Sequence, residues 1–212
     1  MLLTRHIYLI RHGITDWNRD SRMQGQTDIP LNAEGMEQAR RMAERLANLS
    51  APPQVVISSD LSRARQTAEI VAQRLNLCLE TTPLLRETNL GDWEGLTHNE
   101  IIERGDAELF ERYQENSFLN RPPNAETLES AWGRMTTALT QIKERYPSES
   151  FAIVGHGGSL RVLLYDALGA PVSSVNRIWL SNASLSTIEE RFREGKEIRR
   201  GVSLLNDTGH LG

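Results

Sequence analysis

Short apolar runs alternate with longer amphipathic stretches along most of this chain, and this alternation constrains its fold more than any other feature. Residues 7–10 and 151–154 are the clearest runs, since both are rich in strand-forming side chains and end just before glycine-containing segments. Further strand candidates are residues 55–58, 77–79, 178–180 and 185–189, and helix candidates begin near Asn32, Ser62, Leu128 and Gly158. Strands that alternate with helices predict an α/β fold, a three-layer sandwich with helices flanking a mostly parallel sheet.

The stretch at about 88–124 interrupts the alternation. Gly91, Gly95, Gly105 and Pro122-Pro123 punctuate it and leave room for about two short helices. The chain has 212 residues, a length typical of one domain or of one domain with a small insertion. We therefore expect a single domain over 1–212, with a helical, cap-like insertion at about 88–124 that could cover a site.

Composition and charge exclude several classes of protein. The net charge is −4, unlike the strongly basic balance of nucleic-acid-binding proteins. No apolar run approaches the length of a membrane span, and the first residues lack the pattern of a signal peptide. Cys78 is the only cysteine, which rules out an intrachain disulfide, and its apolar neighbours predict a buried thiol. We expect a cytoplasmic protein that binds neither membranes nor nucleic acid.

Histidine and arginine side chains follow three of the strand candidates. Arg11 and His12 come directly after the first strand, Arg63 lies just beyond the second, and His156 follows the strand at 151–154. Ligands of parallel sheets bind beyond the carboxyl ends of the strands, so these residues should share one crevice. Arginine can bind phosphate oxygens in a bidentate manner, and a neutral imidazole can attack phosphorus. The sequence therefore predicts that a phosphoryl group is held briefly on His12, without a metal or another cofactor.

Three further features complete this chemistry. Gly157 and Gly158 open a helix, whose first amides can donate to an anion. A protonated His156 would stabilise negative charge on the phosphoryl oxygens. Glu87 is the candidate proton donor to the leaving oxygen, and it could then take a proton from the attacking water.

These residues lie in motifs that resemble the histidine phosphatase superfamily, in its phosphoglycerate-mutase-like branch. The resemblance covers nearly the whole chain in the family's order. Its motifs are Arg11-His12-Gly13 followed by Trp17-Asn18, Gln24-Gly25 and Asp28; residues 58–68; Arg86-Glu87; residues 91–95; and residues 155–158. Ile14 departs from the pattern, because relatives usually carry Glu or Gln there, and its apolar side chain puts the hydrogen bonding beside His12 in question.

The resemblance implies a role for each site residue. His12 would become phosphohistidine, and Glu87 would be the proton donor. Around the phosphate it places Arg11, Arg63 and His156, with hydrogen bonds from Asn18 and the Gly157 amide, while Gln24 and Gly25 line the substrate side. It also makes a homodimer a reasonable expectation, with a small phosphate ester as the other partner.

The resemblance leaves several activities open. Mutases of this branch grip a carboxylate with adjacent arginines, whereas Arg104, Arg112 and Arg121 are scattered here, which favours hydrolysis. Among phosphatases, similarity over the whole chain favours a phosphoserine phosphatase. The alternatives are an α-ribazole-phosphate or broad-specificity phosphatase, a phosphoglycerate mutase, and a non-catalytic module that binds phosphorylated ligands.

Two other histidine hypotheses come from local patterns. A metal site is the alternative use of the histidines, but the sequence contains no His-Glu-x-x-His or Cys-x-x-Cys spacing to support it. His210 lies in a C-terminal tail with apolar residues and little charge, unlike a frayed terminus. We hypothesise that this tail folds back over the crevice as a lid, or over a partner subunit.

Overall fold

The computed structural model describes residues 2–171 and 176–212. Its longer elements run along the chain in the following order: β1 (Leu2–Arg11), α1 (Asp16–Arg19), α2 (Ala33–Ala47), β2 (Val55–Ser59), α3 (Ser62–Leu75), β3 (Leu79–Thr82), α4 (His98–Ile101), α5 (Ala107–Glu115), α6 (Leu128–Arg145), β4 (Phe151–Gly155), α7 (Gly157–Leu168), β5 (Leu185–Arg193) and β6 (Lys196–Asp207). Helix α2 begins where the sequence predicts, because the Asn32 side chain accepts a hydrogen bond from the Gly35 amide and so caps the helix.

Within the described residues, the strands form one six-stranded sheet in the order β3-β2-β4-β1-β5-β6. The first four strands of this order are parallel, and β5 and β6 are antiparallel to their neighbours. The predicted α/β fold with a mostly parallel central sheet is confirmed. Since β1, β2 and β4 are adjacent, the residues that follow them meet at one edge of the sheet.

Helices cover both faces of the sheet, which is why residues 7–10 of β1 and 151–154 of β4 are apolar at consecutive positions. In β1, Ile7 and Leu9 pack with residues of α6 and α7, while Tyr8 and Ile10 pack with α2 and α3. The alternation follows from the two-residue period of a strand. Two hydrophobic clusters on opposite faces therefore hold β1 in place, and the backbone at its carboxyl end is fixed by this packing.

Two strand predictions differ from the structure. Residues 178–180 were expected to form a strand but are irregular, and β3 begins at Leu79 rather than at residue 77. Left-handed backbone at Asn76 ends α3, and the next residue still bonds back to that helix. Cys78 is exposed, so the predicted burial of its thiol is wrong. Its apolar neighbours on either side pack against the α2–α3 face instead.

The segment at 88–124 contains helices α4 and α5, joined by a π-helical stretch over Ile102–Asp106. It has a small hydrophobic cluster of its own, in which Trp93, Ile101 and Phe110 are buried. The indole of Trp93 donates to Asp106 at 2.8 Å. The segment thus packs around its own aromatic residues. None of the helices in the described part of the chain combines the length and the apolar character that a membrane crossing requires.

Candidate active site

A cavity of about 680 Å³ opens at the carboxyl ends of β1 and β2 and the amino end of α7. It brings together most of the site residues predicted from the sequence: Arg11, His12, Asn18, Gln24, Gly25, Arg63, Glu87 and Gly157. His156 lies directly behind His12, with 5.1 Å between the two ring centres. The expectation that residues distant in sequence share one crevice is confirmed.

His12 is held rigidly at the end of β1. Its amide donates to the Gly155 carbonyl at 3.0 Å, and its carbonyl accepts from the Ala183 amide at 3.1 Å. The ring nitrogen Nδ1 lies 2.7 Å from the Gly13 carbonyl. Because a carbonyl can only accept, Nδ1 carries the proton and Nε2 keeps its lone pair. Burial and the positive charges of Arg63 and Arg11 lower the pKa of His12 well below its ordinary value, so the ring is neutral.

Arg63 stands in the first turn of α3 and is fully buried. Its guanidinium donates to the carbonyls of Thr27 and Gly25, at 2.8 and 2.7 Å, and to Nδ1 of His156, at 3.2 Å. These three acceptors fix the plane of the guanidinium. Burial lowers the pKa of Arg63 from its ordinary value, but an arginine remains charged at neutral pH.

Arg11 approaches the cavity from the last position of β1. One terminal nitrogen donates to the Leu180 carbonyl at 2.5 Å. Its Nε is buried, and no residue in the described ranges accepts from it. Burial also lowers the pKa of Arg11 to about 10. A buried donor without an acceptor is costly, so an anion in the cavity would satisfy a group that the fold leaves unsatisfied.

His156 caps the start of α7 and uses both ring nitrogens within the protein. Since Nδ1 accepts from Arg63, Nε2 carries the proton and donates to the Ser59 hydroxyl at 2.9 Å. Burial and the neighbouring Arg63 lower the pKa of His156 well below its ordinary value. The ring is therefore neutral in this structure, unlike the protonated His156 that the sequence reasoning invoked.

The carboxylate of Glu87 lies against the amino end of α7. It accepts from the amides of Gly158 and Ser159, both at 2.9 Å, and from its neighbour Thr88 at 2.8 Å. A β-carbon at position 158 would come within 2.5 Å of a Glu87 oxygen, so this approach requires glycine. The Gly158 amide was expected to be free for a ligand anion, and this is wrong because Glu87 is the anion that occupies it.

Asn18 is oriented by donors that converge on its side-chain oxygen. Oδ1 accepts from the amide and the hydroxyl of Thr15, both at 3.1 Å, and from Asn182 at 3.2 Å. The side-chain nitrogen Nδ2 of Asn18 is thus the group left to donate into the cavity. Asn182 also donates to the carbonyls of His12 and Gly13, at 3.2 and 3.4 Å, and so joins the loop after β1 to Asn18.

Gln24 and Gly25 line the cavity, as the resemblance implies. Oε1 of Gln24 lies 3.2 Å from the Thr15 hydroxyl, whose single hydrogen it shares with Oδ1 of Asn18, and Gly25 contributes the carbonyl that holds Arg63. Beside His12, the Ile14 amide donates to Gln38 of α2 at 2.9 Å. The apolar side chain of Ile14 therefore leaves no unsatisfied amide at this turn.

The structure does not place the C-terminal tail over the crevice. The tail continues β6 along β5, and the turn at Gly209–Leu211 packs on α2, where Arg41 donates to the Leu211 carbonyl at 2.6 Å. His210 lies against the main chain of Ala183, and burial lowers its pKa. It does not line the cavity, so the lid prediction for His210 is wrong, while a contact with a partner subunit stays a prediction.

Across residues 2–171 and 176–212, no three His, Cys, Asp or Glu side chains come together in a group that could hold a metal ion. Among the described residues, the charged side chains that line the cavity are Arg11, Arg22, Arg63, Arg161 and Glu87. Four guanidinium groups against one carboxylate leave an excess of positive charge. Such a site attracts an anion with several oxygens.

A model of the histidine phosphatase superfamily (branch 1) matches residues 7–202. The chain belongs to the histidine phosphatase superfamily. It is an enzyme of the phosphatase class within that superfamily, and the matched residues include all of the catalytic candidates described above.

Similar proteins cover this histidine phosphatase almost end to end. It is 36% identical to the uncharacterized phosphatase PhoE of Bacillus subtilis, over 86% of this chain and 87% of that protein. It is 35% identical to the probable phosphoglycerate mutase GpmB of Escherichia fergusonii, over 97% and 94%. The solved structure of a mycobacterial glucosyl-3-phosphoglycerate phosphatase with VO3 has a TM-score of 0.85 and 31% identity, over 96% and 100%.

Sequence reasoning missed several residues that build this site. No role at the site was assigned to Asn182, Ser59, Thr27 or Trp179. Trp179 lines the cavity although its side chain is 78% exposed. These residues act through contacts with groups distant in sequence, for which a local pattern offers no signal. Only Ser59, inside the motif at residues 58–68, and Thr27, between the motif residues Gly25 and Asp28, could have drawn attention by position.

Proposed function

We propose that this protein is a metal-independent phosphomonoesterase, which hydrolyses a small phosphorylated metabolite through a phosphohistidine formed on Nε2 of His12. One observation carries the proposal. The Gly13 carbonyl holds the proton of His12 on Nδ1, so the lone pair of Nε2 is available in a cavity that also contains Arg11 and Arg63. A neutral imidazole beside two guanidinium groups suits attack on a phosphoryl dianion.

In the first step, Nε2 of His12 attacks phosphorus and the bond from phosphorus to the ester oxygen breaks. A protonated Glu87 gives its proton to the leaving oxygen, which departs as an alcohol. In the second step, water attacks phosphorus and gives a proton to Glu87, and the bond from phosphorus to Nε2 breaks. Oε2 of Glu87 accepts only one of the three amide hydrogen bonds, so it retains a lone pair to carry this proton.

The remaining residues bind the phosphoryl group or position those that do. Arg11 offers its unsatisfied Nε, Asn18 its side-chain amide, and Gly157 its main-chain amide at the start of α7. His156 holds Arg63 in place through Nδ1, rather than by contributing a positive charge of its own. These donors would bind the phosphoryl oxygens more tightly as negative charge develops in the transition state.

The positions and the bonding partners of three arginines favour hydrolysis over mutase activity. Arg104 pairs with Asp92 and Asp106, and Arg112 with Glu108. Arg121 donates to the main-chain carbonyls of residues 89, 117 and 126. None of the three arginines lines the cavity, so they offer no paired grip for a substrate carboxylate. Arg22 and Arg161 do line it, but Arg22 pairs with Glu100 and Arg161 donates to the Gly157 carbonyl. We infer that water, rather than a bound alcohol, accepts the phosphoryl group.

The volume of the cavity indicates how large a substrate the site can hold. Phosphoserine, the substrate favoured by the sequence resemblance, would occupy a small part of about 680 Å³. The outer part of the cavity is lined by Phe110, Tyr113 and Trp179, which we call the aromatic wall. Two of these residues belong to the segment at 88–124, which we propose acts as the cap. The geometry favours a phosphatase that accepts esters with larger, partly apolar bodies, and phosphoserine is the second candidate.

An assay of phosphate release tests both the metal-free mechanism and the proposed class of substrate. The purified enzyme is given p-nitrophenyl phosphate, phosphoserine, α-ribazole phosphate, phosphoglycerates and sugar phosphates, each with and without EDTA. We expect turnover that survives EDTA and that is faster with the bulkier esters. Loss of activity on chelation would contradict the metal-free route. Binding of these esters with no release of phosphate would instead identify a non-catalytic binding module.

A further inference from the structure

Glu94 lies outside the catalytic group, yet its half-buried carboxylate accepts four hydrogen bonds. Oε1 accepts from the amides of Gln26 and Leu90, at 2.9 and 3.0 Å. Oε2 accepts from the amide and the hydroxyl of Thr27, at 3.0 and 2.7 Å. A carboxylate has about four positions that can accept a bond, so this one is fully used within the protein.

The bond from Gln26 connects Glu94 to Arg63 through a single peptide group. The Gln26 N–H and the Gly25 C=O belong to the same planar unit. Glu94 accepts from its N–H side at 2.9 Å, and Arg63 donates to its C=O side at 2.7 Å. A negative charge on one side and a positive charge on the other polarise the same amide, so each hydrogen bond strengthens the other.

The same carboxylate orients the second carbonyl that holds Arg63. Thr27 donates to Glu94 through its amide and its hydroxyl, and its carbonyl accepts from Arg63 at 2.8 Å. Gly25 has a positive φ of +50°, and a β-carbon there would lie 2.1 Å from Oε1 of Glu94. The loop can therefore present both carbonyls to Arg63 only while it follows this close path around Glu94.

Glu94 also ties this loop to the segment at 88–124. Leu90, which lines the cavity, donates its amide to the same carboxylate oxygen as Gln26. The Gln26 side chain donates to the carbonyl of Glu87 at 3.0 Å. A shift of the segment would thus be transmitted to the loop, and through the loop to the guanidinium of Arg63.

We propose that Glu94 is a positioning residue, which aims the Arg63 guanidinium at the phosphoryl group through the Gly25–Gln26 peptide. Through Glu94, a change in the position of the segment at 88–124 would change how tightly Arg63 binds phosphate. The inference rests on the proposed role of Arg63 in binding phosphate. A residue that merely anchored the segment would affect folding stability, whereas a residue acting through Arg63 changes phosphate affinity in a way that depends on Arg63.

The experiment is a double-mutant cycle with Glu94→Gln and Arg63→Lys, read out as the inhibition constant of inorganic phosphate and as kcat/KM. The side-chain NH2 group of the glutamine would face N–H and O–H groups that donate to the carboxylate of Glu94, so the hydrogen bonds on that side would be lost. We expect Glu94→Gln to weaken phosphate inhibition roughly tenfold and to lower kcat/KM by about ten- to a hundredfold. In the Arg63→Lys background, the same change should alter phosphate inhibition less than twofold.

Asp92→Asn is the matched control, because Asp92 is a carboxylate of the same segment that is exposed and pairs with Arg104. It should leave phosphate inhibition unchanged. Equal effects of Glu94→Gln in both backgrounds, or an unchanged inhibition constant, would overturn the positioning role. If Arg63→Lys by itself leaves phosphate inhibition unchanged, the failure lies in the proposed function instead.

A second variant keeps the proposal testable if Glu94→Gln does not fold. Thr27→Val removes only the hydroxyl, one of the four donors to the carboxylate. We expect a smaller weakening of phosphate inhibition in the same direction, and again almost none in the Arg63→Lys background. An unchanged inhibition constant for a folded Thr27→Val protein would contradict the proposal.

Discussion

The inner end and the aromatic wall of the cavity are built in different ways. At the inner end, Arg11, His12 and Arg63 follow buried parallel strands or begin the helix after one, and main-chain carbonyls fix their side chains. The aromatic wall stands on α5 and on the irregular stretch at 178–180. Under the proposed function, the first region would set which group is attacked, and the second would set which molecule carries it. Residues fixed by rigid packing suit the chemical step.

The largest effect should come from the inner end. His12→Ala removes the nucleophile of the proposed mechanism, so we expect turnover to fall by about four orders of magnitude or more. Acid-labile, base-stable phosphoprotein should disappear with it, measured by acid quench with a radiolabelled substrate. Persistence of the label in His12→Ala would mean that another residue is the nucleophile.

A smaller loss should follow from removing the proton donor. Glu87→Gln keeps an acceptor for the α7 amides but cannot supply a proton, so kcat should drop by about two to four orders of magnitude. Esters with good leaving groups should suffer less than alkyl esters, since they depart without protonation. If both kinds of ester lose the same factor, Glu87 acts by holding α7 and not as an acid.

The pH dependence tests whether the inner end keeps His12 neutral. Because burial and Arg63 lower the pKa of His12, its nucleophilic form should persist as the pH falls below 6.5. An ordinary histidine would lose roughly 30-fold in neutral form at pH 5. We expect kcat/KM, corrected for substrate ionisation, to hold at that pH while circular dichroism shows the native fold. An acid limb centred near 6.5 would contradict this account.

The smallest effect should come from the aromatic wall. Trp179→Ala removes an exposed indole from the cavity mouth, so kcat/KM for aryl or other bulky phosphates should fall by about three- to tenfold. The value for phosphoserine should barely change. Leu119→Ala is the control, because Leu119 is exposed in the segment at 88–124 but does not line the cavity. Equal losses on large and small esters would remove Trp179 from substrate recognition.

The difference between these regions also explains how well each was predicted. His12 and His156 follow strands whose apolar pattern is unmistakable, and in a parallel sheet such positions must meet at one edge. The stretch at 178–180 shows what such a pattern cannot decide. Ile178 and Leu180 are buried and Trp179 is exposed, as in a strand, yet no neighbouring strand pairs with them among the described residues.

β6 was missed for a related reason. Its first residues, Lys196, Glu197, Arg199 and Arg200, look like a solvated loop in the sequence. The strand lies at the edge of the sheet, where hydrogen bonds to β5 stabilise it and charged side chains are tolerated. Its pairing partner, rather than its own composition, makes it a strand.

The sequence by itself determined the fold class and predicted the phosphoryl chemistry. It placed His12, Arg63 and His156 near one another because strand period and parallel topology act on a few well-separated signals, whereas Glu87 came from the need for a proton donor and from the family resemblance. Only the tertiary structure decided the protonation of the two histidines, the occupation of the α7 amides by Glu87, and the link from Glu94 to Arg63. Hydrogen bonds from side chains to main-chain groups or to other side chains, most of them distant in sequence, produce these features. Side-chain identity does not reveal which acceptor faces which donor.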